Sequence, residues 1–75
     1  MSDYERWLAL CAEHEEADRA HRRALTLVTA KMQPGSRENP SDQEMGAWEA
    51  ARDKLFAIRD RMDAFMRDMR RKWGG

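Results

Sequence analysis

Cysteine is nearly missing. Cys11 stands alone, so no disulfide can staple the chain from within, and the framework of a small secreted scaffold is excluded. The thiol is therefore expected to stay reduced, as in an intracellular, cytoplasmic protein. The N-terminal residues are acidic and lack an apolar run, which argues against a secretory signal. No stretch approaches the length of a membrane span. Charge of one sign is missing as well: fourteen basic residues balance fourteen acidic ones. A polyanionic DNA mimic or an unspecific nucleic-acid binder would not be balanced in this way. Proline and glycine are sparse, two and four respectively, and that scarcity is informative because of where they fall.

Pro34, Gly35 and Pro40 lie together in Gln33-Pro34-Gly35-Ser36-Arg37-Glu38-Asn39-Pro40. Proline lacks the amide and glycine the stiffness that a helix interior needs, so residues 33–41 are predicted as a loop. On either side stand two capping-box patterns, Ser2-Asp3-Tyr4-Glu5 and Ser41-Asp42-Gln43-Glu44. In each, the serine hydroxyl can accept an orphan amide and the glutamate can reach back to the cap amide. Helices are predicted over 3–32 and 42–73, with Gly74 and Gly75 as the stop. Each rod would be about 45–48 Å long at 1.5 Å per residue. Matched lengths and a short connection predict an all-α antiparallel hairpin forming one domain over 1–75.

Apolar residues recur every seven positions. In the second helix Trp48, Leu55, Met62 and Met69 form one series and Ala51, Ile58 and Phe65 the adjoining one, with Met45, Met66 and Trp73 widening the other side. In the first helix Trp7, His14, His21 and Val28 form one series and Cys11, Asp18, Leu25 and Met32 the other, with Leu10 also on the face and Ala17, Ala20 and Ala24 as a small-residue edge. These are heptad seams. Each stripe is wider than one partner helix covers, so two hairpins are predicted to close into a homodimeric four-helix bundle. The expected dimer or partner interface is Trp7, Ala17, Ala24, Leu25, Val28, Trp48, Leu55, Ile58, Met62, Phe65 and Met69. Leu8 and Phe56 fall off both seams and are candidates for an exposed partner contact.

Charge predicts the same pairing. Residues 1–18 carry a net −5 and residues 59–73 a net +3, and an antiparallel hairpin sets these segments side by side. Each sign also suits its own helix dipole.

Three polar residues interrupt the greasy stripe of the first helix: His14, Asp18 and His21. Within a bundle such a layer sets register and partner choice, with Asp18 accepting from the two histidines or pairing with Arg52 or Arg59 across the hairpin. The alternative is a transition-metal site built from His14, Asp18 and His21, with Cys11 as a fourth ligand. The spacing matches no established zinc signature, and a second helix or protomer would have to complete it. A basic stretch, Arg67, Arg70, Arg71 and Lys72 beside Trp73, could contact phosphates; its competing reading is a dipole-matched helix end facing acidic residues. Glu13 and Glu16 form an E-x-x-E pair that resembles half of the motif of all-helical nucleotide pyrophosphohydrolases. The nearest second half, Asp60 to Asp63, is remote, and the two glutamates read as solvated charge.

No motif calls for a catalytic residue or a cofactor. The expectation is a non-enzymatic interaction or regulatory protein, homodimeric, with a protein partner favoured over nucleic acid and no membrane association.

Overall fold

A computed structural model describes residues 2–35 and 38–74. Ser36 and Arg37 of the expected loop, and Gly75 of the expected stop, lie outside the described residues. The chain forms two helices, α1 (Asp3–Lys31) and α2 (Asp42–Trp73), packed as an antiparallel hairpin. The predicted boundaries hold to within one residue.

The ends follow from local chemistry. The Ser41 hydroxyl accepts the Glu44 amide (3.1 Å) while the Glu44 carboxylate accepts the Ser41 amide (3.0 Å), a complete capping box. At Ser2 only the serine half is formed: its hydroxyl accepts the Glu5 amide at 3.1 Å. α1 ends when the Met32 amide turns back to the Thr29 carbonyl, three residues earlier, and Gly35 then takes φ +91°. Only glycine enters that left-handed region without a Cβ penalty. α2 ends differently from a left-handed glycine cap: Gly74 keeps right-handed helical angles and its amide donates to Arg70 O at 2.7 Å. A Cβ there would stand 2.5 Å from that oxygen.

The seam of α2 is the one read from its spacing. Leu55, Ile58, Phe65 and Met69 are buried, and Trp48, Ala51 and Met62 are half-buried beside them. The seam of α1 needs correcting by one position. Leu10 and Ala17 are buried and Ala24 half-buried, so they, with Trp7 and Val28, form the inner line. Cys11, Asp18, Leu25 and Met32 lie on its rim, with Met32 68% exposed. Two clusters result. Leu10, Phe65 and Met69 pack with Trp7 near the open end, where the Trp7 and Phe65 rings stack at 5.5 Å. Ala17 meets Leu55 and Ile58 in the middle, its small side chain admitting the two larger ones. Met62 touches both clusters.

The charge asymmetry also appears as contacts. Lys72 pairs with Asp3 at 3.0 Å and Arg61 with Glu13 at 3.3 Å. Both bridges are exposed, and exposed pairs are each worth about 0–1 kcal/mol, so they select orientation more than they stabilise. At the loop end Lys31 reaches Glu44 at 2.6 Å. That hydrogen bond, followed by the Ser41 amide, holds the Glu44 carboxyl down at about 2 against an ordinary 4.5, while Glu44 raises the Lys31 ammonium.

Two predictions follow from these local details. Gly46 is exposed inside α2 with open space where a Cβ would stand, so Gly46→Ala should raise stability by about 0.5–1 kcal/mol in thermal or urea melts. Because the folded pKa of Glu44 lies below its unfolded value, its contribution is complete above the ordinary carboxylate range. It is lost as pH falls from 4.5 toward about 2. Urea midpoints across that window should decline less steeply for Glu44→Gln than for the parent chain.

Candidate functional site: an open apolar flank with a charged centre

Antiparallel packing turns corresponding rim positions of both helices to the same side of the rod. On α1 the rim series is Tyr4, Cys11, Asp18, Leu25 and Met32; on α2 it is Met45, Arg52, Arg59, Met66 and Trp73. Tyr4, Trp7, Phe65, Met66 and Trp73, with Asp3 at the edge, line one open and largely apolar cleft of about 410 Å³ at the open end. Tyr4 is 71% exposed and Trp73 72%. Met66 and Leu25 are also exposed, and Met45 is half-buried. The opposite side has a different character: its clefts are lined by Arg6, Glu13, Arg61 and Asp68 and by Glu16, Arg23 and Lys54. One side of the rod is greasy at both ends; the other is salted along most of its length, with Leu27 exposed on it toward the loop end.

The polar residues of α1 do not form the expected joint network. Asp18 pairs with Arg22, one turn along its own helix, at 3.0 Å, and has no described contact with Arg52 or Arg59. His14 Nε2 accepts from Arg59 Nε over a long 3.4 Å. His21 sits against Trp48, ring centres 6.3 Å apart. Arg52 lies 5.0 Å over the Trp48 ring and reaches Asp53. The Trp48 indole N–H is buried without an acceptor among the described residues, a cost seldom left standing in a finished core. Arg6 makes a similar cation–ring contact with Phe65, at 5.6 Å. The side chains of the layer are therefore tied up one by one, each by a near neighbour.

Within a single hairpin these residues do not assemble into a ligand set. Three or four ligands must converge on one point, but Cys11, His14, Asp18 and His21 run along a helix, a turn apart. Among the described residues no three His, Cys, Asp or Glu side chains gather where they could hold an ion. Cys11 is half-buried on the rim and not a core residue.

At the far end of α2 the basic stretch divides. Lys72 turns back to Asp3, whereas Arg67, Arg70 and Arg71 line a shallow exposed hollow with Gly74 and have no carboxylate within 4.0 Å among the described residues. Leu8 and Phe56 are exposed, as their positions off the seams implied. Tyr4 escaped the sequence reading, although its seven-residue spacing to Cys11 marked it. No described helix is long and apolar enough to cross a membrane.

Zinc, nickel or copper added to the protein, or a chelator, should leave its melting temperature unchanged. A rise with metal that disappears in a His14→Ala/His21→Ala double variant would restore the ligand set.

Comparison with protein-family models, with curated proteins and with solved structures finds no match.

Proposed function

We propose that this chain is a small non-enzymatic protein–protein interaction or regulatory module that works inside the cell as a homodimeric four-helix bundle. One quantity carries the reading. The hairpin exposes 6052 Å², whereas a compact monomer of this mass exposes about 4,800 Å². The excess, about 1,300 Å², exceeds the roughly 800 Å² that each partner contributes to a standard interface. Its radius of gyration tells the same story: 17.1 Å against about 11 Å for a compact domain of this length. The apolar flank supplies the surface to be covered. A homodimer built on it would keep the salted side, with Leu8 and Phe56 on outward positions, for a further protein partner.

Catalysis has little to work with. Among the described residues the clefts are open, and no nucleophile–base pair lines them. A second reading is favoured by one observation, the hollow of Arg67, Arg70 and Arg71, which have no carboxylate within 4.0 Å among the described residues. Guanidinium groups so placed suit phosphate, and an RNA or DNA ligand would then bind at the rod's open end.

Sedimentation or light scattering should give twice the 8.8 kDa chain mass, with a melting temperature that climbs with protein concentration. A folded single-copy species at high concentration would sink the homodimer. Titration of a fluorescent oligonucleotide at two salt concentrations decides the second reading: binding that weakens steeply with salt and is lost in Arg67→Ala/Arg70→Ala/Arg71→Ala would favour it.

A further inference from the structure

The hairpin's own contacts set the levels of the two helices along the rod. Lys72 stands opposite Asp3, Arg61 opposite Glu13, Arg59 opposite His14 and Glu44 opposite Lys31. Placed on that scale, the rim residues of the apolar flank run from the open end to the loop end in one order. It is Trp73, Tyr4, Met66, Cys11, Arg59, Asp18, Arg52, Leu25, Met45, Met32. Residues of α2 and α1 alternate strictly, so each side chain of one helix stands level with a gap in the other. Acid and base also alternate, because Asp18 lies between the levels of Arg59 and Arg52.

We infer that the second copy docks on this flank with its two-fold axis parallel to the rod, so that both open ends lie together and both loops lie together. This geometry rests on the homodimer reading above. A two-fold along the rod lays α1 of one copy over α2 of the other, antiparallel. Asp18 then enters the gap between Arg52 and Arg59 of the partner subunit. Tyr4 enters the gap between Met66 and Trp73 of the partner subunit, and Leu25 and Met32 straddle the partner's Met45. From Tyr4 to Leu25, each α1 rim residue meets a hole between two α2 residues, the knobs-into-holes fit of helical bundles, and Met32 packs beyond the partner's Met45. The other symmetric choice is a two-fold across the rod. It lays α1 over α1 and α2 over α2, end reversed, and with Asp18 beside Asp18 of the partner subunit it sets Arg59 beside the partner's Arg52. Like charges so juxtaposed at a closing interface are destabilising. The apolar ends fit either arrangement; the charged centre is what chooses between them.

The test uses the full chain carrying Cys11→Ser and Asn39→Cys, spin-labelled at the new thiol beside the loop. With loops together, the two labels should lie two to three helix spacings apart, about 20–30 Å. With ends reversed they would be separated by most of the 58 Å rod. A short distance is expected. A long one, in a species of dimer mass, would overturn this geometry and leave the dimer standing, whereas a single-copy mass would remove both. Charge reversal reads the same choice independently, in variants whose helicity by circular dichroism matches the parent. Asp18→Arg should weaken self-association on the order of tenfold or more, and adding Arg59→Asp should recover much of it. An unchanged dissociation constant for Asp18→Arg would contradict the Asp18–Arg contact and overturn the proposal.

Discussion

Two helices side by side cannot enclose anything. A side chain on the seam has a neighbour across the rod but open space above and below, and this limit governs the molecule. Seven hydrophobic side chains are buried, yet among the described residues none of them falls below 2% exposure. Trp7, Trp48 and Met62, which the spacing places at the centre of the stripe, are only half-covered. Burial contributes about 25 cal/mol per Å² of apolar area removed from water, and a rod that leaves its widest residues half wet forfeits part of that gain. Small domains usually make up such a shortfall with disulfides, metals or a second subunit. Cys11 has no partner thiol in the chain, and its polar neighbours do not converge on an ion.

The same limit gives the two sides of the rod different characters. Glu13, Arg61 and Asp68 line one side, where the Arg61–Glu13 pair across the helices is exposed and weak. The other side carries Tyr4, Leu25, Met66 and Trp73, whose solvation is unfavourable unless another surface covers them. His14, Asp18, Arg52 and Arg59 sit at the waist of that greasy side. In water these polar groups are held by near neighbours at little gain. Under a second surface they would select the partner and its direction, as polar groups in helical bundles do.

Much of this was legible beforehand. Serines before acidic turns, prolines and a glycine between two proline-free spans, and seven-residue apolar spacing placed α1 and α2 to within one residue. Opposite charges at residues 1–18 and 59–73 anticipated the Lys72–Asp3 and Arg61–Glu13 contacts. The seam of α2 was readable because apolar residues recur every three or four positions from Trp48 to Met69 with no polar residue at those positions. The seam of α1 was not, because it carries two candidate lines, one through Leu10 and Ala17 and one through Cys11 and Asp18. Both are consistent with a 3.6-residue period, and a rotation of α1 by one position exchanges them.

What the sequence by itself determined is the local and periodic part: where each helix starts and stops, that the pair is antiparallel, and that more apolar surface exists than one hairpin covers. Capping, turn chemistry and hydropathy period act over a few residues, so they can be read along the chain. Only the tertiary structure decided which line of α1 faces α2, that Asp18 turns to Arg22 rather than to the histidines, and that Tyr4, Met66 and Trp73 gather on one open flank. Those outcomes depend on the rotation of one rod against the other. That rotation is set by how Ala17 fits between Leu55 and Ile58 and how Trp7 stacks on Phe65, contacts between residues more than thirty positions apart.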